Sequence, residues 1–318
     1  MSHRASARTA SPSPSPGTVA DARRGFLLGA LGVVIFAMTL PMTRLAVGDT
    51  AAPQLPPAFV TAGRAALAGL LSVVYLWVVH APRPPRHLWA TLALSAVGTV
   101  LGFPLFLALA LRQVDAMHAA VVTGVLPLAT AVVAALVLRQ RPAASFWACA
   151  LAGCGLVLGF AAWQGSGRVS LADGLLLGAV LCGAVAYVAG ARAAAVMPAE
   201  HVIGWVLVAS LPLTLPAALW LWPTQPASAA AWGGFVYVSV FSMWLGFFSW
   251  YRGLALGGVV RVSQVQLLQP FLALLFAVPV LGEKLEPVTL FFALAVMAVV
   301  FIGRRLPVRA PPAAGAAR

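Results

Sequence analysis

The sequence predicts an all-α polytopic membrane protein of ten transmembrane helices, arranged as two inverted five-helix repeats. Three observations predict it: ten apolar runs of spanning length, basic residues concentrated in alternate connections, and short motifs that recur in the second half. The composition agrees, with 62% apolar and 8% charged residues and a mean hydropathy of +0.97, outside the usual range for soluble domains.

A hydrocarbon core about 30 Å thick needs roughly 20 mostly apolar residues as helix. Such runs occur at 26–47, 57–79, 88–111, 116–138, 143–163, 171–195, 202–222, 231–254, 261–281 and 287–303. The first opens with Gly25-Phe26-Leu27-Leu28-Gly29-Ala30, and the second holds Arg64. The fourth contains Thr123 and Pro127, the sixth Tyr187, the eighth Trp244, and the ninth Gln266, Gln269 and Pro270. Trp220, Trp222 and Trp232 lie near span ends, where tryptophan anchors a helix at the membrane interface. Residues 1–22 and 306–318, rich in Ser, Pro and Ala, cannot bury a core and are expected to be disordered tails.

Net charge is +13. In a soluble chain this would suggest nucleic acid, but here apolar helices hold the arginines apart, so no nucleic-acid partner is expected. Cys149, Cys154 and Cys182 fall inside apolar runs with no CxxC and no histidine at ligand spacing. They read as small packing residues, and no metal or cofactor is expected. Arg23-Arg24 before an apolar run resembles a twin-arginine export signal, but nearly the same run recurs in mid-chain, where no signal operates.

With the N-terminus placed in the cytoplasm, the inside segments collect Arg4, Arg8, Arg23, Arg24, Arg83, Arg86, Arg139, Arg141, Arg192, Arg252, Arg261, Arg304, Arg305, Arg309 and Arg318, fifteen of the 20 basic residues. The outside segments receive Arg44, Arg112, Arg168 and Lys284 with Asp49, Asp115, Asp173, Glu283 and Glu286. This obeys the positive-inside rule and predicts a multi-pass protein of the plasma (inner) membrane with both termini cytoplasmic.

The opening of the first span returns as Gly174-Leu175-Leu176-Leu177-Gly178-Ala179 in the sixth. Pro127 precedes Leu138-Arg139-Gln140-Arg141 at the spacing by which Pro270 precedes Leu281-Gly282-Glu283-Lys284. Two similar halves of five crossings, 23–165 and 166–305, must enter the membrane from opposite sides because five is odd. Inverted repeats of this kind hold their site near the midplane between halves.

Ala110-Leu111-Arg112-Gln113-Val114-Asp115-Ala116 leading to Pro127, and Gln264-Val265-Gln266-Leu267-Leu268-Gln269-Pro270 leading to Leu281-Gly282-Glu283-Lys284-Leu285, resemble the EamA-type signatures of the drug/metabolite transporter superfamily. The resemblance covers about 25–305 and implies ten helices, cytoplasmic termini and movement of small metabolites. The first half departs from the family's Gly-Glu-Arg/Lys ending, showing Arg139-Gln140-Arg141.

The candidate cavity residues are Arg64, Thr123, Tyr187, Trp244, Gln266 and Gln269, with helix breaks at Pro127 and Pro270. An amide in hydrocarbon must find partners or face water, so Gln266 and Gln269 serve either as substrate contacts or as interhelical bonds. Under the repeat, Thr123 and Gln266 are equivalent. Each proline frees a carbonyl in mid-membrane, which is tolerated beside protein or a wet cavity. Arg64 is either an anchor snorkelling outward or a ligand for a carboxylate or phosphate. Tyr187 and Trp244 either touch a substrate or pack in an aromatic core. Ser239, Ser242, Gly246, Ser249 and Gly253 form a small-residue stripe that reads first as a packing face. No Asp or Glu falls at a helix centre, and Asp115, Asp173 and His118 are peripheral, so proton coupling stays open.

No catalytic residues are expected: Ser166 has no evident base and no HExxH occurs, which disfavours a membrane-embedded enzyme. The absence of a GxxxxGK[ST] loop points away from an ATP-driven pump. The expected function is a secondary transporter exporting a small metabolite, an amino acid or related compound, by alternating access. The alternative is a broad multidrug exporter with Trp244, Phe247, Phe248 and Trp250 as its wall. The partners are a small-molecule substrate and the lipid bilayer, with the chain a monomer or homodimer.

Overall fold

The structure is a computed structural model and describes residues 19–137, 141–164, 169–257, 263–305 and 308–309. Residues 1–18, most of the second tail, Arg139, Gln140, Ser166, Arg168 and Arg261 lie outside the described residues; residues 19–22, expected in the disordered first tail, are instead the first turn of a helix.

Ten apolar helices follow one another among the described residues: α1 (Ala20–Val47), α2 (Pro57–Val78), α3 (Arg86–Ala110), α4 (Ala116–Val137), α5 (Ala144–Gln164), α6 (Leu171–Ala194), α7 (Ala199–Trp220), α8 (Ala229–Leu254), α9 (Val265–Leu281) and α10 (Pro287–Ile302). The first eight are long and apolar enough to cross a membrane, and α9 and α10 are shorter. Helix α1 begins before the apolar run does, with Asp21 in its first turn, where a carboxylate complements the helix dipole. Leu151, Trp220 and Phe291 are 73%, 87% and 64% exposed. An outer surface of such residues invites aggregation in water but suits lipid. The protein is a multi-pass membrane protein.

The helices pack in pairs that exchange among themselves when each is replaced by the helix five places away. Helix α1 lies along α8 and, correspondingly, α6 along α3; α2 faces α7, α4 faces α9, and α5 faces α10. Without a hydrophobic force between helices in lipid, small residues let the backbones approach. A Cβ placed on Gly253 of α8 would reach Gly29 N of α1 at 2.5 Å, and one on Gly102 of α3 would reach Cys182 Sγ of α6 at 2.6 Å. Gly246 likewise faces Phe36 and Ile35 of α1. Most of the eighth helix's small-residue stripe is therefore a packing face. Of the cysteines, Cys182 packs in this way, whereas Cys154 is exposed.

The same helices are interrupted in both halves. The third helix of each carries a π-helical stretch, Val97–Gly102 in α3 and Tyr237–Leu245 in α8. In α3, Pro104 follows directly and cannot donate to the preceding turn. The fourth helix of each breaks just before its proline: α4 loosens at Gly124 and Val125 ahead of Pro127, and a 3-10 stretch over Ser263–Leu268 precedes Pro270. The two breaks meet, because a methyl on Gly124 would stand 3.6 Å from Pro270 Cγ. Helix α1 also breaks, at Met38, three residues before Pro41.

Backbone pairing of Arg141 with Arg309 and Pro142 with Val308 joins the α4–α5 connection to the segment after α10.

Candidate functional site

Where the broken helices converge, a cavity of about 90 Å³ opens between the halves, lined by Arg64, Thr123, Tyr187, Ser242 and Gln269 with walls of Phe36, Phe103 and Phe247. A smaller space of about 40 Å³ adjoins it through Thr123 and Gln269 and adds Gln266, Pro127 and Pro270. Thus Arg64, Thr123, Tyr187, Gln266, Gln269 and both prolines come to one place from α2, α4, α6 and α9. Trp244 lines neither space: its ring packs edge-on against Phe248 at 5.1 Å, with its indole Nε1 buried and no hydrogen-bond partner among the described residues.

Arg64 is 4% exposed. Its side chain turns inward to the cavity and does not snorkel. Nη2 donates to Ser242 Oγ at 3.3 Å and lies 3.8 Å from Met243 Sδ. Ser242 Oγ is in turn 2.8 Å from Thr39 Oγ1. Arg64 Nε is buried without a partner, and no carboxylate pairs with the guanidinium among the described residues. Thr123 donates to the Ala119 carbonyl at 2.7 Å, and Tyr237 OH donates to the Ile35 carbonyl just before the α1 break at 3.1 Å.

The two ends of the bundle differ. At the acidic end, all five odd-numbered connections or the helix ends flanking them are tied together. Glu283 accepts Ala116 N–H at 2.7 Å and Met117 N–H at 2.8 Å, filling the first free donors of α4 from across the repeat boundary. Gly282, with φ of +70° at the end of α9, turns the chain into that position, a left-handed conformation that favours glycine. Burial pushes the Glu283 carboxyl above its ordinary value, against the two backbone bonds. Arg44 donates to the Leu111 and Val114 carbonyls, and Arg112 to those of Val47 and Leu55. Gln54 accepts Ser228 N–H at 2.9 Å. His118 and Asp173, both buried, are 2.6 Å apart, and Asp173 also holds Ser170. Phe59, Trp222, Trp232 and Phe235 form an aromatic cluster, mostly edge-on, with Phe59 stacked on Phe235.

At the arginine-rich end, the cavity widens instead into a chamber of about 590 Å³ between the ends of α6 and α8, lined by Tyr187, Met197, Trp250, Tyr251 and Gln266. Among the described residues the ties there are fewer: the backbone pairing of 141–142 with 308–309, a bond from Trp205 Nε1 to the Pro82 carbonyl at 3.1 Å, and the approach of Arg252 to Glu200 at 3.7 Å.

Sequence reading missed Thr39 and the polar role of Ser242. Ser242 lies in the π-helical stretch, where the register slips and the three/four spacing no longer tells packing from cavity. Thr39 had a signal in Pro41, whose missing N–H marks a break nearby.

A model of the EamA-like transporter family matches the chain twice, over residues 23–161 and 170–303. The chain is 42% identical over 283 residues to the uncharacterized transporter YdeK of Bacillus subtilis (strain 168), covering 88% of this chain and 97% of that protein. A protein of known crystal structure aligns with 90% of this chain and 100% of its own, at a TM-score of 0.58 and 21% identity. That likeness shows the fold alone.

Proposed function

Since the chain belongs to the EamA-like transporter family, we propose that it is a secondary carrier that exports a small metabolite, an amino acid or related compound, across the inner membrane by alternating access. The observation that carries this reading is the asymmetric cavity: polar groups of both halves meet where the interrupted helices converge, with ties closing one end and a chamber at the other. With the arginine-rich end in the cytoplasm, the conformation faces inward. Cargo enters through the chamber, reaches Arg64, Thr123, Tyr187 and Gln269, and leaves when the acidic end parts and the chamber collapses. The chain performs no covalent chemistry in this cycle.

Metabolite profiles of cells with and without the protein test the reading. One amino acid or related compound is expected to fall inside and rise in the medium, and an unchanged profile would count against carriage. A reporter fused at Arg318 is expected in the cytoplasm.

The multidrug alternative requires a broad aromatic wall. Of its four candidates, Phe247 and Trp250 line the cavity or chamber, while Trp244 and Phe248 pack against each other outside both. Relief of toxicity from many unrelated cationic dyes would favour that alternative.

A further inference from the structure

We propose that the cargo of the central cavity carries an anionic group, in the first place a carboxylate, and that Arg64 is its binding partner. This rests on the carrier reading above and names the group by which its cargo is held and the residue that holds it.

A guanidinium has five N–H donors and keeps its charge in a protein. Arg64 holds that charge inside a membrane helix bundle, 4% exposed, with one hydroxyl and one thioether as its partners and a buried Nε without any. Burying an unpaired charge costs far more than one hydroxyl bond returns. Two other ionisable groups held wholly or partly from water are paired by the chain itself: His118 has Asp173, and the part-buried Glu283 has two backbone amides. The cavity around Arg64 contains no Asp or Glu among its lining residues. The missing countercharge is therefore supplied from outside the chain, by a group that enters and leaves.

The rest of the lining fixes the remainder of the ligand. Gln269 brings an amide that can donate to the anion, Thr123, whose proton goes to the Ala119 carbonyl, can accept from another part of the ligand, and Phe36, Phe103 and Phe247 form an apolar wall. The site suits a small anion with an apolar or weakly polar body. It opposes cations, which would meet an uncompensated positive charge.

The test uses the full chain in nanodiscs and four probes that share a ring: benzoate, its neutral isostere benzamide, the cation benzamidine, and phenyl phosphate. Thermal unfolding is followed against probe concentration in the wild type, Arg64→Gln and Arg64→Lys. Benzoate is expected to raise the unfolding temperature of the wild type and of Arg64→Lys, while benzamide and benzamidine do not. Arg64→Gln is expected to bind benzoate about tenfold more weakly or worse, since a hydrogen bond to a charged group is lost. Stronger stabilisation by phenyl phosphate than by benzoate would assign the anion as a phosphate ester. Without probe, Arg64→Gln is expected to unfold at a temperature equal to or above the wild type, because it removes an uncompensated charge. An anchoring arginine would give a lower one and overturn the assignment. Equal stabilisation by benzamide, an anion effect that survives Arg64→Gln, or no effect of either anion would also overturn it. Metabolite export that persists alongside such a result would leave the carrier reading standing, whereas anion binding without export of any metabolite would remove the carrier reading instead.

Discussion

Arg64 is a buried ionisable side chain and Glu283 a partly buried one, and the chain treats them differently. Glu283 at the acidic end meets two backbone N–H groups of α4, so the protein itself offsets much of the cost of burying it. Arg64 at the centre meets Ser242 and Met243, with its Nε unpartnered. A buried polar group satisfied by its own chain holds structure together, whereas one left short of partners is a place where a ligand gains free energy by binding. The contrast separates the clamp from the site.

The largest effect that would break this contrast is at Arg64. Arg64→Ala is expected to abolish transport while membrane abundance stays at the wild-type level, measured by efflux and by quantifying protein in the membrane. Retained efflux would reduce Arg64 to an anchor.

Glu283→Ala should act on the other end. It leaves the N–H groups of Ala116 and Met117 without partners, at about 1–3 kcal/mol each. In a Met117→Cys background, labelling by a membrane-impermeant thiol reagent added from outside is expected to speed up severalfold. An unchanged rate would show that Glu283 does not hold the end closed.

Within the cavity, Thr123→Ala and Gln269→Ala are expected to be milder. Each removes a neutral hydrogen-bonding group worth about 1 kcal/mol, or roughly a fivefold rise in KM for the exported metabolite. A loss as deep as that of Arg64→Ala would move the centre of recognition to the amide or hydroxyl.

The smallest effect is a dependence on pH. Burial raises the carboxyl of Glu283 in the closed end, and exposure in an open end would return it to its ordinary value. Protons therefore bind the closed form more tightly, so acid favours closure and the advantage is lost as pH rises through the raised value. Spin labels at Gln113 and Lys284 should move apart as pH rises from the carboxylate range to neutrality, and Glu283→Gln should flatten the response. Separation on acidification would refute the sign.

Much of this was legible in one dimension. Pro127 and Pro270 announced breaks in equivalent helices because a missing N–H acts wherever the residue stands. Gln266, Gln269 and Thr123 announced polarity in hydrocarbon, where it is costly. Trp244 shows the limit: an aromatic at mid-helix is the same letter whether it faces a cavity or, as here, Phe248. Ser242 was hidden by a π-helical stretch that shifts the face on which a residue falls. The Glu283 clamp was invisible because its partners are backbone groups, which no sequence pattern records.

By itself the sequence determined the helices and their number, since the thickness of a bilayer and the cost of an unsatisfied peptide group leave an apolar run one regular way to cross. It also determined the duplication and the segregation of charge. Only the tertiary structure decided which end is tied and which is open, and that Arg64 turns inward unpaired. Those outcomes depend on a few polar contacts between residues far apart in the chain, whose meeting is set by how the two halves pack and not by any local preference.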